Sequence, residues 1–173
     1  MIERILLEAD TIQTRVVELG EEITQAYPSD SPLLLVGLLK GSLFFLADLS
    51  RAIALPVEIE LMQVASYGAN TRSSGAIQIL KGLDRDIDGL DVLIVEDIVD
   101  TGLTLDTILP GFKARTPRSL KVCTLLDKPD RRQIEVPVDF TGFQIPDQFV
   151  VGYGLDFNQQ YRNLPYIAVF SPP

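Results

Sequence analysis

The sequence alternates short, continuous apolar runs with segments that have the spacing of an amphipathic helix. Residues 33–38 and 92–95 are apolar throughout, as in strands that are buried on both faces. Between these runs, Leu43, Leu46 and Leu49 recur at helical spacing. Strands that alternate with helices are typical of right-handed crossover units. The chain is therefore predicted to have an α/β fold, with a twisted, mainly parallel sheet flanked by helices.

The same reasoning places further elements along the chain. Residues 12–26 and 103–112 have helical spacing, and Asp10 and Gln13 are placed as a capping pair for the first of these helices. No repeat, charge block or Gly/Ser-rich linker divides the sequence, so residues 1–173 are predicted to form a single domain. Further strands are predicted at residues 57–61, 122–126, 149–151 and 167–170.

Composition excludes several kinds of chemistry. The chain has no histidine, which excludes Ser-His-Asp triads, Cys-His nucleophile pairs and His-ligated zinc. Its single cysteine, Cys123, excludes an internal disulfide and a multi-cysteine metal site. Cys123 lies inside an apolar run and is interpreted as a buried core thiol.

The charge balance argues against polyanionic partners. Fifteen Lys and Arg residues stand against 24 Asp and Glu residues, which gives a formal net charge of −9. A basic surface for nucleic acid or for an anionic membrane is therefore not expected. The longest apolar runs are far shorter than the ~20 residues that span a bilayer. We expect no nucleic-acid partner and no membrane association, and a cytoplasmic location.

The most informative segment is the nine-residue string Glu96-Asp-Ile-Val-Asp-Thr-Gly-Leu-Thr104 after the second apolar run. Backbone N–H groups at a helix start, together with the Thr101 and Thr104 hydroxyls, form a cradle for phosphate. Glu96 and Asp97 are suited to accept hydrogen bonds from sugar hydroxyls, directly or through a metal. A ribose phosphate satisfies both halves. The structural alternative is an acidic helix N-terminus in which Asp100 or Thr101 acts only as a cap.

Three other parts of the chain suit either a ligand site or an ordinary solvated turn. Residues 38–42, Leu-Leu-Lys-Gly-Ser, place a glycine between a predicted strand and helix, where backbone amides can meet an anion. The spacing of a Walker loop is absent there. Residues 66–75 are polar, lack both helical and strand spacing and are long for a connection, which by itself is more typical of a disordered hairpin tip than of a functional segment. Lys128 follows a predicted strand, at the edge of a parallel sheet where ligands bind.

Residues 92–104 closely resemble the ribose-phosphate signature of the type I phosphoribosyltransferases, and within them the hypoxanthine branch. Residues 39–41 (Leu-Lys-Gly), 125–128 (Leu-Leu-Asp-Lys) and 149–156 (Phe-Val-Val-Gly-Tyr-Gly-Leu-Asp) agree in the same order, with Arg162 beyond them. The likeness covers most of the chain. It implies that segments from both termini form a small hood over the bound base.

The resemblance also implies a reaction. A 6-oxopurine is joined to 5-phosphoribosyl 1-pyrophosphate, which gives a nucleoside 5′-monophosphate (IMP or GMP) and pyrophosphate in purine salvage. Mg²⁺ is the implied cofactor, held by Glu96, Asp97 and Asp156, and Asp100 is the implied general base at the purine imidazole nitrogen. The residues expected to bind the ribose phosphate are Glu96, Asp97, Asp100, Thr101, Gly102 and Thr104.

A pyrophosphate loop and a lid follow from the same resemblance. The loop is implied to contain a cis peptide bond between Leu39 and Lys40. Ser66 and Tyr67 are expected to belong to a lid that closes over pyrophosphate and excludes water. The residues expected to bind pyrophosphate are Leu39, Lys40, Gly41 and Arg162.

For the purine, Lys128 is implied to donate to the exocyclic oxygen at carbon six, and Phe149 to stack on the base. The Val150 backbone is expected to read the purine edge, with Asp156 close by. Leu103 stands where some relatives have a lysine. The phosphate is therefore expected to depend more on backbone amides and on the threonine hydroxyls.

Two alternatives stay open on the sequence. One is a relative of the same fold that regulates transcription by binding RNA, which the net charge of −9 argues against. The other is an enzyme of the same class that acts on xanthine, adenine or a pyrimidine. Lys128 and Phe149 favour a 6-oxopurine but do not exclude xanthine. The resemblance further implies a homodimer or homotetramer.

Overall fold

A computed structural model describes residues 1–66 and 76–173 of the chain. Helices and strands alternate through most of this length. The helices are α1 (Ala9–Ala26), α2 (Leu43–Ala52) and α3 (Leu103–Lys113), with one 3₁₀ turn at Pro129–Arg131. The strands are β1 (Ile2–Leu7), β2 (Leu33–Leu39), β3 (Val57–Ser66), β4 (Ile77–Lys81), β5 (Asp91–Val99), β6 (Ser119–Asp127), β7 (Phe140–Gln144), β8 (Val150–Val151) and β9 (Ile167–Phe170).

Six of the described strands form the central sheet, in the order β4-β3-β2-β5-β6-β7. All neighbouring pairs are parallel except β3 and β4, which are antiparallel. β2 lies between β3 and β5, so the direction of strand addition reverses between β2 and β5. In open α/β sheets, a crevice for ligands forms at this point, beyond the carboxyl ends of the strands.

The core lies on both faces of the sheet because successive residues of each strand point to opposite sides. Leu33 and Leu93 pack against α1 and α2 on one face. Leu34 and Ile94 pack against α3 on the other face. Cys123 is fully buried, so its interpretation as a core thiol is confirmed. The prediction of a mainly parallel sheet flanked by helices is also confirmed.

A second, smaller sheet brings the two ends of the chain together. It contains β1, β9 and β8, all paired antiparallel. The amino group of Met1 also donates a hydrogen bond to the carbonyl of Ser171. Segments from both termini therefore form one small unit, as the resemblance implies. None of the helices in the described ranges is long and apolar enough to cross a membrane.

Two local predictions were wrong. The helix cap assigned to Asp10 and Gln13 is not formed, because α1 begins at Ala9 with Glu8 as its N-cap residue. Asp10 lies in the first turn, where a negative charge favours the helix dipole. The Gln13 amide instead donates to Asp48 Oδ2 at 3.2 Å.

The second wrong prediction is the end of the strand at residues 92–95, because the acidic string begins within β5. β5 continues through Val99, because the backbone of Glu96, Ile98 and Val99 stays in register with β6. β1, β4 and β7 were not predicted. In β1 and β4 most residues are exposed, so these short edge segments lack the apolar pattern that marks a buried strand.

We expect truncation of Leu93 to Ala to lower the free energy of unfolding by about 2–5 kcal/mol, because the side chain is fully buried in β5 and its loss leaves a cavity. Leu80→Ala is the control, because Leu80 is 54% exposed in β4. Urea unfolding of both variants measures the difference. Equal losses of stability would contradict this account of the core.

Candidate active site

The predicted site residues come from the carboxyl ends of neighbouring strands. β2 ends at Leu39 and leads into the loop with Lys40 and Gly41, while β5 carries the acidic string. A cavity of about 410 Å³ opens between these two strand ends. Most of the residues predicted to bind ribose phosphate, metal or pyrophosphate line it, namely Leu39, Gly41, Glu96, Asp97, Asp100, Thr101, Gly102, Thr104, Asp156 and Arg162.

The N-terminus of α3 points into this cavity because Gly102 makes a tight turn there. Gly102 has a φ of +88°, and a Cβ at this position would meet the carbonyl oxygen of Ile134. A larger residue would therefore be strained at this φ and would overlap that carbonyl oxygen. The Thr101 hydroxyl accepts a hydrogen bond from the Leu103 N–H at 3.3 Å. The first turn of a helix presents further N–H donors, which suits a phosphate group.

Glu96 and Asp97 form an acidic pair at the floor of the cavity. Glu96 is buried and Asp97 is half-buried. Burial raises the pKa of both carboxyls, and the charge of Asp97 raises the pKa of Glu96 further. The Ile98 N–H, which donates to Asp97 Oδ1 at 2.8 Å, and the charge of Arg162 act in the opposite direction on the pKa of Asp97. Hydroxyl donors or a cation would stabilise the charged form of this pair.

The donor set fits Mg²⁺ that is shared with a substrate. In the described residues, no group of three or more acidic or cysteine side chains is arranged to hold a metal alone. Asp156 Oδ1 pairs with Arg162 at 3.0 Å, and Asp156 Oδ2 accepts the Gln159 N–H at 2.8 Å. Mg²⁺ is usually bound by one or two carboxylates together with water and substrate phosphates, which does not require an all-protein cage. The assignment of Glu96, Asp97 and Asp156 as ligands stays a prediction.

The loop after β2 is packed closely against its neighbours. The peptide bond between Leu39 and Lys40 is cis, as the resemblance implies. A Cβ on Gly41 would overlap the carboxylate of Asp97, and a Cβ on Gly154 would overlap the carbonyl oxygen of Gly41. The acidic pair, the loop and the segment around Gly154 are therefore in direct contact. Sequence reasoning gave no role to Gly154, although its spacing from Gly152 marks a turn.

Two of the residues predicted to bind pyrophosphate, Lys40 and Arg162, are cationic, and of these Arg162 lines the cavity whereas Lys40 does not. The Lys40 ammonium donates to Gln159 Oε1 at 3.1 Å, and Arg162 Nη2 donates to the same oxygen at 3.2 Å. Arg162 Nη1 also donates to the Gly154 carbonyl at 2.7 Å. Sequence reasoning missed Gln159, because a single glutamine carries no pattern that points to a site.

Of the residues predicted to bind the purine, Asp156 lines this cavity, whereas Lys128, Phe149 and Val150 do not. Lys128 follows β6, and its backbone N–H donates to the Val99 carbonyl at 3.0 Å. Burial lowers the pKa of Lys128, while the charge of Asp100 raises it. Phe149 is 45% exposed, which excludes an ordinary core role, and Val150 is buried in β8.

Arg131 is a further residue that the sequence did not reveal. Its Nε lies 2.8 Å from Asp100 Oδ1, and its Nη1 lies 3.4 Å from Asp147 Oδ1. The predicted general base therefore has a cationic neighbour from the turn after β6. Of the two residues assigned to the lid, Ser66 is the last residue of β3, and Tyr67 lies outside the described residues. The lid stays a prediction.

Comparisons with known proteins identify the family. Residues 6–158 match the family model of the phosphoribosyl transferase domain. A hypoxanthine-guanine phosphoribosyltransferase of Mycobacterium avium is 53% identical over 176 residues, which covers 99% of this chain and 87% of that protein. A hypoxanthine phosphoribosyltransferase of Escherichia coli (strain K12) is 52% identical over 168 residues, which covers 96% of this chain and 94% of that protein.

Solved structures give the same result. A hypoxanthine-guanine phosphoribosyltransferase from Bacillus anthracis superimposes with a TM-score of 0.93 at 42% identity, covering 99% of this chain and all of that chain. A hypoxanthine phosphoribosyltransferase from Staphylococcus aureus superimposes with a TM-score of 0.93 at 45% identity, covering 99% of this chain and 92% of that chain. The fold and the site thus define a phosphoribosyltransferase. The chain belongs to this family, in the branch of the hypoxanthine-guanine phosphoribosyltransferases.

We expect Gly154→Ala to destabilise the protein by about 1–3 kcal/mol, because Gly154 has a φ of +102° and its Cβ would overlap the Gly41 carbonyl. Thermal unfolding measures this loss. The control is Gly111→Ala in α3, where a Cβ would meet no atom within 4 Å. That change should stabilise by roughly 0.5–1 kcal/mol, because alanine favours a helix interior. The same melting temperature in both variants would contradict the close contact described above.

Proposed function

We propose that the enzyme joins a 6-oxopurine, hypoxanthine and also guanine, to 5-phosphoribosyl 1-pyrophosphate. The products are the nucleoside 5′-monophosphate and pyrophosphate. The similarity to hypoxanthine-guanine phosphoribosyltransferases over nearly the whole chain supports this reaction. The observation that carries it is one cavity in which Glu96 and Asp97, the N-terminus of α3 and Arg162 converge. A ribose that bears a phosphate, two hydroxyls and a pyrophosphate matches these three groups.

In this proposal, each part of the sugar substrate has its own partners. The 5′-phosphate binds at the N-terminus of α3, where Thr101 and Thr104 supply hydroxyls and N–H groups supply donors. The ribose hydroxyls donate hydrogen bonds to Glu96 and Asp97. The pyrophosphate lies against the backbone of residues 39–41 and the positive charge of Arg162. Leu103 carries no charge, so phosphate binding depends more on backbone donors here than in relatives that have a lysine at this position.

The chemical step breaks the bond between the ribose carbon and pyrophosphate while the purine nitrogen bonds to that carbon. Positive charge develops on the sugar and additional negative charge develops on the leaving group. Lys40 and Arg162 stabilise that negative charge, and Asp100 accepts the proton of the purine imidazole nitrogen. Mg²⁺, when bound, neutralises further charge on pyrophosphate.

On the base side, Lys128 donates to the oxygen at purine carbon six, which adenine lacks. Phe149 offers an exposed ring on which the purine can stack, since it packs edge-on against Phe157 at a centroid distance of 6.0 Å. The backbone of Val150 contacts the purine edge. These assignments favour hypoxanthine and guanine over adenine.

We also propose that residues 1–173 form a single domain that acts in the cytoplasm as a homodimer or homotetramer. The family model spans most of the chain, and β1 and β9 join its two ends, which supports a single domain. Leu43 and Phe44 are 47% and 39% exposed at the start of α2, next to the loop after β2. This apolar surface is consistent with an interface between subunits. Sedimentation equilibrium measures the oligomeric state.

Replacing Asp100 with Asn should lower kcat by about 10²–10⁴-fold, because the amide cannot accept the purine proton. The KM for 5-phosphoribosyl 1-pyrophosphate should change far less. Asp106→Asn is the matched control, since it removes the same charge from an exposed position in α3 and should leave kcat unchanged. Steady-state kinetics with hypoxanthine measures both variants. Unchanged turnover in Asp100→Asn would contradict the role of Asp100 as general base.

Replacing Lys128 with Met should lower kcat/KM for hypoxanthine by roughly 10- to 100-fold, the effect of losing a hydrogen bond from a charged donor. The KM for 5-phosphoribosyl 1-pyrophosphate should stay close to that of the wild type. Lys113→Met, at the exposed end of α3, removes the same charge and serves as the control. Equal kcat/KM values for hypoxanthine in the two variants would remove Lys128 from the base site.

A further inference from the structure

The Gln159 side chain lies between two cationic residues. Its Oε1 atom accepts a hydrogen bond from the Lys40 ammonium at 3.1 Å and a second one from Arg162 Nη2 at 3.2 Å. An amide oxygen has two lone pairs, so these two donors use its full accepting capacity. Lys40 belongs to the loop after β2, whereas Gln159 and Arg162 belong to the segment before β9. Gln159 is therefore the contact that joins the two cationic parts of the site.

The backbone holds Gln159 in this place. Asn158 and Gln159 both have positive φ values, of 51° and 65°, in a turn closed by reciprocal hydrogen bonds between Phe157 and Gln160 at 3.0 and 3.1 Å. The Gln159 N–H donates to Asp156 Oδ2 at 2.8 Å. The side chain is thus presented from a fixed turn, although it is exposed to solvent.

We propose that Gln159 is a positioning residue for the pyrophosphate group. This inference rests on the proposed function, in which Lys40 and Arg162 bind that group. Lys40 and Arg162 carry like charges that repel each other, and the ion pair of Arg162 with Asp156 at 3.0 Å offsets part of this repulsion. The Gln159 oxygen offsets this repulsion and keeps both donors directed to one place before the substrate binds. Less reorganisation is then needed when pyrophosphate arrives, which favours its binding.

A neutral side chain suits this role better than a charged one. A glutamate at position 159 would form ion pairs with Lys40 and Arg162 and would place a negative charge next to the entering phosphates. The ion pairs would compete with pyrophosphate for the same donors, and the charge would repel it. An alanine would leave the two cations without a shared acceptor. Both changes should therefore weaken the binding of pyrophosphate, and the glutamate should weaken it more.

The test compares Gln159→Glu with Gln160→Glu, which adds the same charge to the neighbouring exposed residue of the same turn. Calorimetric titration with inorganic pyrophosphate and Mg²⁺ measures binding directly, and kinetics gives a separate KM for each substrate. Gln159→Glu should weaken pyrophosphate binding and raise the KM for 5-phosphoribosyl 1-pyrophosphate by about tenfold. The KM for hypoxanthine should stay within twofold of the wild type. Gln160→Glu should match the wild type in all three.

Two further variants remove the acceptor without adding a charge. Gln159→Ala and Gln159→Met should each weaken pyrophosphate binding by about three- to tenfold, with a melting temperature close to that of the wild type. Methionine keeps the length of the side chain, so it also tests the role if Gln159→Glu fails to fold. Equal pyrophosphate affinity in Gln159→Glu and Gln160→Glu, or tighter binding in Gln159→Ala, would overturn the inference. A wild-type protein that neither binds pyrophosphate nor forms product would instead overturn the proposed function.

Discussion

The parallel pairing of β2 with β5 is the constraint on which the rest of the site depends. The two strands stay in register from Leu33 beside Asp91 to Gly37 beside Val95. Their carboxyl ends therefore emerge together, which places the loop at Gly41 next to Asp97. Both strands are buried on both faces, so this register is fixed by the packing of α1 and α2 on one side and of α3 on the other. The packing of the core therefore determines where the cavity forms.

Close backbone contacts connect the central sheet to the segment between β8 and β9 of the small sheet. Gly154 lies against the carbonyl of Gly41, and Gly41 lies against the carboxylate of Asp97. Arg162 reaches the same place, where it donates to the Gly154 carbonyl and pairs with Asp156. The acidic pair and Arg162 thus line the same cavity. Carboxylates and a cation in one cavity suit a substrate that combines hydroxyl groups with pyrophosphate.

Much of this arrangement could be predicted from the sequence, because its strongest signals are local. The buried strands are recognisable as continuous apolar runs. Residues 96–104 combine carboxylates, hydroxyls and glycine after such a run. The contacts of Gly154, Gln159 and Arg131 could not be predicted, because they join segments that are distant in the sequence and depend on backbone geometry. The extension of β5 through Val99 was also missed, since pairing with β6 outweighs the polar character of Glu96 and Asp97.

The most direct test is a steady-state assay with 5-phosphoribosyl 1-pyrophosphate and Mg²⁺, in which hypoxanthine, guanine, xanthine, adenine and uracil are offered separately. We predict product from hypoxanthine and guanine, little or none from adenine and uracil, and loss of product when the metal is chelated. Equilibrium binding of 5-phosphoribosyl 1-pyrophosphate is measured on the same protein. Binding without product from any base would contradict catalysis at this site and would indicate a nucleotide-sensing relative of the same fold.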